Sequence, residues 1–253
     1  MKRIGSFGAT VAMPLSLEDV RPPQGVSAQV ITTSIGSRYS FSATPGRNLQ
    51  SLGFGGPGLP MTFFAGPGVP TVGMSATAFQ APIAFRNGTF VTGSETIAIA
   101  QLDLNVLSDP GAIVVQTLST EGGDLVMDDL LKTLEQDAGF RSLQLRPRRQ
   151  YISNVVIAFE KDIASKFKEL SAMQRIINGA MDSATANYGF ERITFSRDLT
   201  EIPVSQAVQG VQPFLLERRA NHPYSENRFF STAPMATEKH FEVLEQIAGI
   251  IEA

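Results

Sequence analysis

The 253-residue chain has no cysteine and no tryptophan, and only two histidines. Without cysteine there can be no disulfide, thiolate zinc site, iron–sulfur cluster or cysteine nucleophile. Basic charge is also scarce. With 21 Lys and Arg against 24 Asp and Glu, the net charge is -3, so no overall positive field exists to draw in nucleic acid. No run of eighteen apolar residues occurs, and the start Met1-Lys2-Arg3-Ile4 is not followed by a signal-like apolar stretch. These features predict a soluble, cytoplasmic protein.

The charge that is present is unevenly placed. Residues 1–94 hold eight charged side chains, against 37 in the remaining 159 residues, and they hold 14 of the 22 glycines and 9 of the 15 prolines. This shift divides the sequence into a charge-poor, β-rich assembly or interaction region over 1–94 and an α+β core domain over 95–253. Breakers concentrate in Gly53–Pro70, where no regular element is expected. Yet the stretch is greasy, carrying Phe54, Leu59, Met61, Phe63, Phe64 and Val69. A fully buried Phe or Leu gains roughly 1.5–3 kcal/mol, so these six in water would forfeit on the order of ten. They are expected either to pack on their own chain or to form an interface with a partner subunit.

Val26–Ser42 is rich in Val, Ile, Thr and aromatic residues and reads as strand. In Ile83–Val91, Asn87-Gly88 between apolar flanks reads as a type I′ hairpin turn. Such hairpins, spanning residues 26–91, also have the texture of membrane-inserting β structure. Gln101–Leu107 and Ala112–Leu118 form a second predicted hairpin around Ser108-Asp109-Pro110-Gly111. Asp124–Ala138 is a helix ending at Gly139, Arg149–Phe159 a central strand, and Lys161–Met181 one long surface helix. Phe190–Arg197 and Phe214–Arg219 read as strands, and a last helix runs from a Thr237 cap to Ile251 with Phe241, Leu244, Ile247 or Ala248, and Ile251 inward. The predicted order after residue 95 is β-β-α-β-α-β-β-α, an antiparallel or mixed sheet covered by helices.

Chemistry has few places to reside. The loop 217–232 gathers Arg218, His222, Tyr224, Glu226 and Arg228: an anion-binding arginine, a proton-moving imidazole, a carboxylate to orient it and a phenol to donate a hydrogen bond. His240 is expected on the surface of the last helix. Asp124, Asp128 and Asp129 fit a helix N-terminus without a cation. Leu118–Asp124 lacks the pattern of a phosphate-binding loop. Arg141, Arg146, Arg148 and Arg149 form a local basic cluster, best read as solubilising charge. No cofactor or metal site is expected. The leading expectation is a non-enzymatic protein that self-assembles into a homo-oligomer, or binds another protein, through its N-terminal region. The alternatives are an anion- or small-molecule-binding enzyme using the 217–232 loop, and a membrane-active hairpin protein.

Overall fold

A computed structural model describes residues 1–15, 28–41, 83–105, 111–140, 149–180, 189–196 and 212–252. The predicted interface side chains Phe54, Leu59, Met61, Phe63, Phe64 and Val69 lie outside these residues, as do Ser108-Asp109-Pro110, Arg141, Arg146, Arg148 and Met181. The class is mixed α+β. Among the described residues, eight strands hydrogen-bond in the order β2 (Ile83–Thr92), β3 (Glu95–Asn105), β4 (Gly111–Thr117), β1 (Lys2–Leu15), β5 (Gln150–Ala158), β8 (Arg228–Ala233), β7 (Phe214–Arg218) and β6 (Arg192–Phe195). By its contacts the chain divides into two compact units, one of residues 9–151 with 197–211, the other of 1–8, 152–196 and 212–253. Residue 94 falls inside the first, in the turn between β2 and β3.

In the first unit, β2 (Ile83–Thr92), β3 (Glu95–Asn105) and β4 (Gly111–Thr117) pair antiparallel, and β4 pairs with the second half of β1 (Lys2–Leu15) in the register Val11↔Val115. A bulge in β3 between Ile99 and Gln101 resets the alternation. Ile97 and Ile99 before it, and Leu102 and Leu104 after it, therefore all join the same apolar cluster. Two helices close that cluster, α1 (Ala28–Arg38) with Ile31 and Ile35, and α2 (Thr120–Asp137) with Val126, Met127, Leu130 and Leu134. Ser119 caps α2 by accepting from the Gly122 amide at 3.2 Å, which satisfies one of the donors left over in a first turn. Gly123 in that turn is a packing requirement: a Cβ there would lie 2.6 Å from Val11 Cγ2.

Two expectations for this unit are corrected. Within the predicted strand Val26–Ser42, residues 28–38 form a helix, α1. Its β-branched residues carry only a weak preference, overridden because Ile31, Ile35 and Tyr39, spaced by four, fall on one helical face and are wholly buried. Asn87-Gly88 is not the hairpin turn. The turn is at Gly93, with φ +57°, while Asn87 sits within β2 at φ 53°. The dipeptide instead admits a neighbour: the Tyr39 carbonyl accepts from the Thr89 amide at 2.8 Å, and a Cβ on Gly88 would strike the Phe41 ring at 2.3 Å. The hairpin's apolar face, including Phe85, Phe90 and Leu102, is consumed in the core under α1 and α2.

In the second unit, β5 (Gln150–Ala158), β8 (Arg228–Ala233), β7 (Phe214–Arg218) and β6 (Arg192–Phe195) pair antiparallel in that order. Val155 and Ile157 of β5, Leu216 of β7 and Phe229 of β8 meet Phe241, Leu244, Ala248 and Ile251 of the last helix, α5 (Thr237–Glu252). The inward stripe at spacings of three and four is the one expected. Thr237 is the first helical residue rather than the cap, and the Ala236 carbonyl accepts the first bond from His240. The predicted order, which begins at residue 95, omits one strand, and the start of the chain lies outside it. The start of the chain is β1, and the end of the supposed polar loop is β8, whose Phe229 and Ser231 point inward beside polar neighbours. The single long helix is two, α3 (Ile163–Lys166) and α4 (Lys168–Ala180).

Candidate functional site

The segment 217–232 leaves β7 at Arg218, makes a 3-10 turn over Tyr224–Glu226, and passes through Asn227 in the left-handed region (φ 46°) into β8. Asparagine tolerates that conformation better than most residues. Arg218 organises the turn. Its Nε donates to the Phe190 carbonyl (2.7 Å), one Nη to the Tyr224 carbonyl (3.0 Å) and the other to Asp162 (2.6 Å). Its planar guanidinium also lies 4.5 Å from the Tyr224 ring centre and 5.0 Å from that of Phe229. The Arg218 side chain is 10% exposed and that of Asp162 43%. A shallow cleft of about 230 Å³ opens beside it, lined by Asp162, Gln174, Phe190, Arg218, Tyr224 and Asn227. Gly189 lets the Tyr224 ring lie against the backbone, because a Cβ there would be 2.8 Å from the ring.

His222 and Glu226 are adjacent, Nδ1 lying 3.1 Å from Oε2, and Arg228 Nε reaches the same oxygen at 2.8 Å. An imidazole oriented by a carboxylate is the arrangement a general base needs. Here, however, the carboxylate is shared with an arginine. Glu226 and Arg228 line a second, open cleft of about 400 Å³ together with Lys2, Arg3, Ile4 and Ala158. Sequence reasoning missed this contribution of β1, because nothing near Lys2 signals a partner more than two hundred residues away. Arg3 is already engaged with Glu238 (3.2 Å) and Glu245 (2.9 Å) and covers the Phe241 ring at 4.6 Å. The cleft is thus less basic than its composition.

His240 is not at the surface. It is fully buried, with Nδ1 2.8 Å from Ser153 Oγ and Nε2 2.8 Å from Ser231 Oγ. Burial lowers its pKa from 6.5 to about 4, since a charged ring there would lose its water. The misplacement has a simple origin. His240 is one residue before Phe241 on the helix, at the margin of the apolar stripe, and the two serines that bond it, Ser153 and Ser231, come from separate strands.

The other charged groupings pair with one another. Arg149 donates to Asp124 at 2.5 Å and also to Asp128, and the Tyr151 hydroxyl donates to Asp124 at 3.3 Å. Asp129 accepts from Arg38 Nε at 2.5 Å and from the Tyr39 hydroxyl at 2.7 Å. Burial works to raise the Asp129 pKa, but Arg38 and Tyr39 outweigh it and hold the carboxyl below its usual range. Among the described residues no three His, Asp or Glu side chains are grouped to hold a metal ion, and no helix is long and apolar enough to cross a membrane. No protein-family model matches the chain, and no curated protein is detectably similar to it in sequence.

Proposed function

We propose that the chain is a non-enzymatic assembly protein, which associates with further copies of itself through its apolar, charge-poor N-terminal region and the outer face of α4. The observation that carries this reading is α4. Around this thirteen-residue helix, Leu170, Met173, Ile176, Ile177 and Ala180 fall in one arc, with Lys168, Ser171, Arg175 and Asn178 opposite. No residue of α4 is buried, and Met173, Ile176 and Ile177 are 57%, 72% and 44% exposed. A helix normally gains its stability by burying such a face. In the 217–232 segment, by contrast, Arg218 is engaged by Asp162 and two carbonyls, and Glu226 by His222 and Arg228.

The test is the mass of the full-length protein in solution over a wide concentration range. A multiple of the chain mass is expected, reduced by deletion of residues 53–70 and by Ile176→Asp with Met173→Asp. A monomer at every concentration overturns the reading. The enzyme alternative rests on one specific observation, the His222–Glu226 separation of 3.1 Å. It requires a bound anion or small molecule that protects this segment from hydrogen exchange and loses affinity in His222→Gln.

A further inference from the structure

His240 is a fully buried imidazole, and its surroundings determine which protonation state it can hold. It lies in the first turn of α5, between Ser153 of β5 and Ser231 of β8. Ser231 has a single hydroxyl proton, and its Oγ donates to the Leu215 carbonyl of β7 at 2.8 Å. Toward His240 Nε2 that oxygen can therefore only accept, so Nε2 carries the ring proton. Nδ1 is then bare and accepts from the Ser153 hydroxyl. One neutral tautomer thus satisfies every donor and acceptor along Ser153, His240, Ser231 and Leu215, and it ties α5 to three strands.

A charged ring has no such solution. Nδ1–H would have to donate to Ser153 Oγ, and the Ser153 proton would be turned away inside a buried site. A compensating carboxylate is not at hand. On β7, Glu217 is paired with Arg192, and Arg218 with Asp162; on β8, Arg228 is paired with Glu226. On α5, Glu238 and Glu245 meet Arg3, and Lys239 meets Glu242, while Glu252 lies at the far end of the helix. The titratable group of β5 is Tyr151, whose hydroxyl is directed to Asp124. The Phe214 ring, 5.7 Å from the imidazole, closes the site with an apolar edge.

We propose that the Ser153–His240–Ser231 bridge is an acid-released latch, which holds α5 against β5, β7 and β8 while the imidazole is neutral and lets the helix go when Nδ1 gains a proton. The direction follows from linkage. Burial depresses the folded pKa of His240 from 6.5 to about 4. Between these values the opened form binds a proton and the latched form does not, so latching weakens as pH falls from 6.5 and stops weakening below about 4. The inference is independent of the self-assembly reading, since it concerns a contact within one chain.

The experiment is an NMR pH titration of the full chain, in which only two imidazoles resonate. His222→Gln removes the other signal and leaves His240 alone. The expected result is a His240 midpoint well below 6.5, with nitrogen shifts of a protonated Nε2 and a bare Nδ1, and a midpoint displaced upward by Ser153→Ala. Amide exchange of α5, corrected for its intrinsic pH dependence, should quicken by up to about tenfold per pH unit below 6.5. That acceleration should be absent in His240→Gln. A midpoint at or above 6.5, the opposite tautomer, or the same acceleration in His240→Gln overturns the proposal. Where His240→Gln does not fold, the midpoint and tautomer in the His222→Gln protein decide alone.

Discussion

The unit built from β2, β3, β4 and the second half of β1 buries Val, Ile, Leu, Met and Phe under α1 and α2. The unit containing β5 to β8 has a smaller apolar cluster, and it adds two polar devices: the buried His240 between Ser153 and Ser231, and the Arg218 clamp on Asp162, Phe190 and Tyr224. Transfer of apolar area is non-directional and tolerates approximate fit. A buried imidazole or guanidinium is directional, because each buried donor left unsatisfied costs more than a made hydrogen bond contributes on net. The second unit should therefore be the more sensitive to pH and to single polar substitutions.

The largest effect expected is that of Leu130→Ala, which empties a wholly buried site and should cost about 3 kcal/mol. Hydrogen exchange resolved by segment should place that loss in α2 and β1–β4. An equal loss in α5 would break the division into two units. Arg218→Met should cost about 2 kcal/mol, since it leaves two carbonyls and Asp162 without their donor. Its loss should appear in 189–196 and 224–226, with the first unit unaffected. Ser119→Ala removes the α2 cap and should lower stability by about 1 kcal/mol in chemical denaturation.

The smallest effect sharpens the comparison from the opposite side. Asp103 in β3 is a polar intrusion in the mainly apolar unit. Burial raises its pKa against the opposing pull of Gln101 and Arg86, and its Oδ1 is buried without a hydrogen-bond partner. An acid whose pKa is raised on folding costs the fold stability that accumulates as pH rises from the unfolded pKa and is complete above the folded one. Asp103→Asn should consequently raise the denaturation midpoint at neutral pH by about 0.5 kcal/mol in stability, and the gain should shrink as pH falls through the Asp103 titration. A loss at neutral pH would mean that the carboxylate is needed where it stands.

Much of the first unit was legible because its signal is local. The α2 stripe, its end at Gly139 and the alternation in 101–105 are periodic patterns of a few residues, and each corresponds to an element of the fold. The failures share a different cause. In α1 a β-branched composition yields to Ile31, Ile35 and Tyr39, which find a core only as a helix. The turn chemistry of Asn87-Gly88 is used to admit Phe41 and Tyr39, far away in sequence. The residues of 217–232 named from the sequence do come within hydrogen-bond distance in two groups, Arg218 with the Tyr224 carbonyl and His222 with Glu226 and Arg228. Asp162, Phe190 and Lys2 could not be read as their neighbours, because they arrive from other strands and loops.

By itself the sequence determined the mixed α+β class and, through its lack of cysteine, the thiol chemistry closed to the chain. An absence of cysteine is final, and a stripe of apolar residues at helical spacing has few other uses. What the tertiary structure alone decided was the state of the polar groups. Whether a histidine is an exposed base or a neutral bridge depends on which strands place Ser153 and Ser231 around it, and that is a matter of distances between residues remote in the chain, which no local pattern records.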